Sequence, residues 1–124
     1  GENRMADEEV VTIEPHDEVL LAVVQCDQMQ EAQTQTMQAD VLAAAEQARH
    51  LPVVLDLSKV AFLPSVGLGA LVVLLQEFKK SNQRYILVGL QPEVRRTLAL
   101  TRLDKIFEIC DTIDDALTQT RQSS

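Results

Sequence analysis

The plainest chemical opportunity in this 124-residue chain is the hydroxyl of Ser65. It stands where Phe62-Leu63-Pro64 gives way to an apolar segment beginning Val66-Gly67-Leu68-Gly69. From there Leu68, Leu71, Val72, Leu75 and Phe78 recur at the spacing of one helical face, and Glu77, Lys79 and Lys80 return polarity at the end. The pattern predicts a buried helix with Ser65 as its N-cap, the hydroxyl accepting from a backbone N–H that has no partner inside the helix. Those same N–H groups, with the helix dipole, favour an anion by roughly 0.3–1 kcal/mol at an exposed site. Two roles therefore fit Ser65: a structural cap, or an acceptor whose phosphate would sit in that field.

Chemistry elsewhere is sparse. His16 and His50 stand apart, and His16 falls in a predicted turn. Cys26 and Cys110 lack CxxC spacing, which points to reduced, partly buried thiols rather than a metal or redox pair. No GxxxxGK[ST] phosphate loop is present, and no G-x-S-x-G surrounds Ser65. The expectation is a protein without catalytic residues, metal ligands or cofactor. Any phosphate on Ser65 must come from a partner.

The elements that position Ser65 follow from hydrophobic period and turn chemistry. Val53-Val54-Leu55, ending at Asp56, reads as a short buried strand. Asp56, at the strand end, either approaches the acceptor or caps the loop beside it. Gly67 and Gly69 each cost about 0.8–1.0 kcal/mol against alanine within a helix. Their placement in the first turn implies close approach, either of the sheet or of a partner surface.

Along the rest of the chain, Val10–Ile13 and Glu18–Val24 read as a hairpin turning at Glu14-Pro15-His16-Asp17. A glutamine-rich loop from Cys26 to Gln33 leads to a helix over Thr34–Arg49, with Met37, Val41, Ala44, Ala45 and Ala48 inward. After the Ser65 helix come a strand at Arg84–Val88, a helix from Pro92 to Leu103 and a strand at Ile106–Cys110. Arg95, Arg96 and Arg102 project from that helix, either into solvent or toward a phosphate or acidic partner. Thr112-x-x-Asp115 opens a last helix carrying Ile113, Ala116 and Leu117, and Gln119–Ser124 reads as a loose tail. Strands alternating with helices predict an α/β fold, a small mixed β-sheet in the order β-β-α-β-α-β-α-β-α.

The run Asp56-Leu57-Ser58-Lys59-Val60-Ala61-Phe62-Leu63-Pro64-Ser65-Val66-Gly67-Leu68-Gly69 resembles the signature of the STAS family, sulfate transporter and anti-sigma factor antagonist. That signature runs roughly D-L-S-x-V-x-F-[ILM]-D-S-[ST]-G-[LI]-G. The resemblance continues through Arg84-Tyr85-Ile86-Leu87-Val88-Gly89, Pro92-Glu93-Val94-Arg95-Arg96 and Leu103-Asp104-Lys105-Ile106-Phe107-Glu108-Ile109, and ends in Asp111–Leu117. It implies a single STAS domain over residues 5–118 with the element order just read. It also implies an anti-sigma factor antagonist that binds an anti-sigma factor, itself a serine kinase, and is reset by a phosphatase. The acceptor position falls on Ser65, and the partner-binding rim on Asp56, Pro64, Ser65, Val66, Gly67 and Gly69. Pro64 replaces the family's aspartate and Val66 its second hydroxyl. These changes favour the alternative, a STAS scaffold or adaptor that binds partners without a phosphate switch.

The totals agree with a regulatory module and exclude other classes. A formal charge of −8, three phenylalanines, one tyrosine and no tryptophan leave no basic face or stacking platform for nucleic acid. No apolar run reaches the ~20 residues of a membrane span. The lack of an export signal makes cytoplasmic residence the expectation, with Gly1–Arg4 read as an expression remnant and Met5–Glu9 as a frayed end. A small-ligand site would require a cavity lined by Leu68, Leu71 and strand residues.

Overall fold

Apolar runs too short for helices build the sheet, and longer periodic segments return over its faces. In the computed structural model, which describes residues 9–122, the order is β1 (Val11–His16), β2 (Val19–Val24), α1 (Glu31–Glu46), β3 (Val53–Asp56), α2 (Ser65–Lys80), β4 (Tyr85–Val88), α3 (Pro92–Leu100), a 3-10 turn (Leu103–Lys105), β5 (Glu108–Cys110) and α4 (Ile113–Gln122). The expected remnant at Gly1–Arg4 lies outside the described residues. The strands stand in sequence order, β1-β2-β3-β4-β5. β1 pairs antiparallel with β2, with Val11 opposite Val24; β2 to β5 run parallel. Parallel neighbours need long crossovers, and the helices supply them.

Side-chain alternation sorts the core into two layers. Leu20, Ala22, Val53, Leu55, Tyr85 and Leu87 face one way and pack with residues of α1, α2 and α3, among them Met37, Val41, Leu71, Leu74, Val94 and Leu98. Val19, Leu21, Val54, Ile86 and Val88 face the other way and meet Ala116 and Leu117 of α4. The loop into α2 emerges at the C-terminal end of β3, the central strand.

Several boundaries differ from expectation for identifiable reasons. β1 continues through Pro15 to His16, and the turn tightens to Asp17, whose φ is +54°. Proline survives in this strand because β1 is an edge, where a missing N–H breaks no second ladder. Helix α1 starts at Glu31, three residues before Thr34. Thr34 is buried, and its hydroxyl donates to the Met29 carbonyl at 2.8 Å, locking the chain into its first turn. α1 ends at Glu46 rather than Arg49 because buried Gln83 reaches across from the α2–β4 turn. Its Nε2 donates to the carbonyls of Ala48 at 3.0 Å and Leu51 at 2.9 Å, satisfying groups beyond the helix end. α3 stops at Leu100, where Arg102 takes a left-handed φ of +63° and opens the 3-10 turn, so β5 begins only at Glu108. The segment from Gln119 to Gln122, expected to be loose, forms the last turn of α4. The Thr112 cap does form: its hydroxyl accepts from the Asp115 N–H at 3.0 Å.

Among the described residues no helix is long and apolar enough to cross a membrane, and no group of His, Cys, Asp and Glu could hold a metal ion.

Candidate functional site at the start of helix α2

Ser65 is the first residue of α2 rather than its cap. Pro64 occupies the cap position in extended backbone, φ −73° and ψ 173°, and no side chain bonds the helix start. The reason is covalent: proline has no N–H to orient and its fixed φ suits the extended cap position, while its carbonyl accepts from the Leu68 N–H at 3.0 Å. The Ser65 hydroxyl is thereby left outside the helix bonding, and the residue is exposed. The N–H groups of Ser65, Val66 and Gly67 precede the first intrahelical bond, and no acidic side chain lies in that turn. An anion on the Ser65 oxygen would meet unpaired donors and the positive end of a 16-residue helix.

A pair of loops braces this helix start. The β2–α1 loop presents the Asp27 carbonyl, which accepts from the Ala61 N–H at 2.7 Å and the Phe62 N–H at 3.2 Å, and Gln28 forms a parallel bridge with Phe62. Lys59 Nζ donates to Gln25 Oε1 at 2.6 Å, and Gln25 Nε2 donates to Thr12 Oγ1 at 3.1 Å, tying the β3–α2 loop back to edge strand β1. Gln91 Nε2 donates to the Ser58 carbonyl at 2.8 Å from the opposite side. Beneath, Met29, Leu57, Val60 and Leu63 are buried. Above, Phe62 is 48% exposed and Val66 38%, flanking Ser65 with apolar surface. Phe62 and the bracing set Gln25, Asp27, Gln28 and Lys59 are not marked in the sequence, because a lone aromatic in a loop and a polar tract carry no periodic signal.

The expected rim divides. Ser65, Val66 and Gly69 are exposed and Pro64 is half-buried, whereas Gly67 and Asp56 point inward. Asp56 is 9% exposed; its Oδ1 accepts from the Ser58 N–H at 2.9 Å, closing the turn that follows β3. The same oxygen lies 2.9 Å from where a Cβ on Gly89 would sit, at a φ of +73° that already favours glycine. Asp56 therefore shapes the loop from below. The helical stripe is also turned from its expected setting: Gly67, Ala70, Leu71, Leu74 and Phe78 are buried, while Leu68, Val72 and Leu75 are partly so. Small residues lie against the neighbouring loop because a longer side chain would not fit there.

The glycines part company in the same way. A Cβ on Gly67 would lie 2.8 Å from Leu63 Cδ1 and 3.2 Å from Met29 Cβ; one on Gly69 would meet nothing within 4 Å. Close approach thus accounts for Gly67 and not for Gly69. Gly69→Ala is expected to raise stability by up to about 1 kcal/mol, through helix propensity alone. Gly67→Ala should gain nothing or lose, since repulsion offsets the same propensity. Paired urea denaturation curves measure both.

The thiols stay out of this chemistry. Burial pushes Cys26 and Cys110 above the ordinary thiol value of 9.0, so both are protonated at neutral pH. Leu71 is fully buried and Leu68 partly so, both packed in the core between α2 and the sheet.

The profile described as the STAS domain matches residues 13–116. A Thermotoga maritima protein with the provisional name anti-sigma factor antagonist is 38% identical over 68 residues, which are 55% of this chain and 60% of that one. The matched segment thus spans somewhat under two thirds of that relative. A solved anti-sigma factor antagonist from Mycobacterium paratuberculosis superposes with a TM-score of 0.79 at 32% identity, covering 90% of this chain and 92% of that one. The Bacillus cell fate determinant SpoIIAA shares the fold at 18% identity in its unphosphorylated form, with a TM-score of 0.74 over 90% of this chain and 96% of that one. Its phosphorylated form, at 16%, has a TM-score of 0.67 over 89% and 98%. With the STAS domain matched over residues 13–116 and the fold shared with solved anti-sigma factor antagonists, this chain belongs to the STAS family.

Proposed function

We propose that this STAS protein is an anti-sigma factor antagonist whose contact surface is the rim at the start of α2 and whose switch is Ser65. The observation that carries the reading is a free, exposed serine hydroxyl at the first position of a helix, flanked by exposed Phe62 and Val66 on a hydrogen-bonded platform. Unmodified, the rim offers an apolar contact to an anti-sigma factor and releases the sigma factor it holds. That partner is a serine kinase: the Ser65 oxygen attacks the γ-phosphorus of ATP, the bond to the β-phosphate bridging oxygen breaks, ADP leaves, and the hydroxyl proton passes to a base on the kinase. The chain itself contributes no catalytic group and works in the cytoplasm, where ATP is available.

The phosphate adds about −1.5 to −2 charges to a surface that was neutral and apolar. The helix N-terminus stabilises that dianion on the free protein. In the complex it would lie buried against a partner without its water, so affinity falls. A phosphatase removes it and restores binding. Titration calorimetry with the cognate anti-sigma factor tests this: unmodified protein binds, and protein phosphorylated on Ser65 binds at least about tenfold more weakly. Equal affinities of the two forms would refute the switch.

Pro64 and Val66 favour one other reading, a constitutive adaptor. Both make the rim more apolar than the family pattern and remove a carboxylate and a hydroxyl beside the acceptor. In that case the same rim binds its partner and Ser65 is never modified.

A further inference from the structure

Gly69 has no task in the fold. It stands exposed inside α2, and a Cβ built on it would meet nothing within 4 Å. Neither crowding nor a left-handed turn calls for glycine there, yet glycine costs about 0.8–1.0 kcal/mol against alanine. The face around it is equally out of character. At about 3.6 residues per turn, Ser65, Val66, Gly69, Val73 and Gln76 share the side of α2 turned away from buried Gly67, Leu71, Leu74 and Phe78. No polar side chain occurs between Ser65 and Gln76. A surface helix ordinarily turns polar groups outward. This one offers exposed Val66, then bare backbone at Gly69, then half-buried Val73.

We propose that Gly69 is a docking notch for the anti-sigma factor: an apolar segment of that partner lays its backbone across α2 against the Gly69 Cα, between Val66 and Val73. This role holds only if the Ser65 rim is the surface that meets the anti-sigma factor. The occupant follows from continuity, since Gly69 comes one turn after Ser65 on the same face, and Phe62 and Val66 lead onto it with exposed apolar surface. The absent side chain lets another main chain come closer than any other residue allows. The valines on either side lose water on contact and supply the attraction. A segment seated there also crosses the Ser65 hydroxyl, so a phosphate on that oxygen and a Cβ on Gly69 would block the same approach.

Urea denaturation together with calorimetric titration of the full, unmodified chain against its cognate anti-sigma factor tests the notch. Gly69→Ala should unfold at higher urea than the parent and yet bind at least about tenfold more weakly. Gly69→Leu, close to alanine in helix propensity, should bind more weakly still, because the obstruction grows with the side chain. A stiffer helix start alone would weaken both variants alike, and that result would overturn the notch. So would a parent that binds while Gly69→Ala binds equally well, an outcome that leaves the Ser65 rim standing. A parent that does not bind the anti-sigma factor would remove the rim, and the notch with it.

Discussion

Met29→Ala is expected to lower the unfolding free energy by about 2–5 kcal/mol. Met29 lies outside every helix and strand, yet it is fully buried, and its neighbours explain why. Its Cβ sits against Gly67 on α2, and its carbonyl accepts the Thr34 hydroxyl that starts α1. The side chain therefore wedges the β2–α1 loop beneath the helix that carries Ser65. Deleting it leaves a void between elements already fixed by the sheet, so collapse is incomplete and the cavity cost adds to the lost transfer energy. In urea the midpoint should fall with the slope unchanged. The bracing contacts from Asp27 to Ala61 and Phe62 depend on the same loop, so partner affinity should fall as well.

Phe62→Asp should weaken binding of the anti-sigma factor by about 2 kcal/mol or more, some thirtyfold, while leaving the fold intact. Nearly half of Phe62 is exposed, its backbone is held by the Asp27 carbonyl, and it stands three residues before the serine proposed as the switch. An aromatic side chain presented by a fixed backbone loses little conformational entropy on contact, which is why such residues anchor interfaces. A carboxylate there would have to be stripped of water in a dry contact. Calorimetric titration compares the variants, and Val66→Asp should act in the same direction. An unchanged affinity for Phe62→Asp would remove the rim from the interface.

Much of this architecture is visible in the chain before any coordinates. The runs Val53-Val54-Leu55 and Tyr85-Ile86-Leu87-Val88 are short, apolar and punctuated, so their strand character follows from period and length. What escapes is set by packing. Glu31, Ala32 and Gln33 are good helix formers but carry no apolar stripe, and only the buried Thr34 bond reveals that α1 starts there. The rotation of α2 is hidden for a similar reason: hydrophobicity weights Leu68 and Val72 above Gly67 and Ala70, whereas the tight space under Leu63 selects the small residues. At the site, Ser65 was legible as a helix-start hydroxyl. The inward turn of Asp56 and the outward face of Phe62 were not, because each depends on a loop held by hydrogen bonds from distant segments.

Phosphate on Ser65 is read most simply from the mass of the intact protein purified from its own cells, across growth and stress conditions, beside a Ser65→Ala strain. A Ser65 switch should yield a fraction heavier by one phosphate in at least one condition, and that fraction should be lost in Ser65→Ala. A protein that never gains that mass would contradict the switch and leave the rim as a constitutive binding surface.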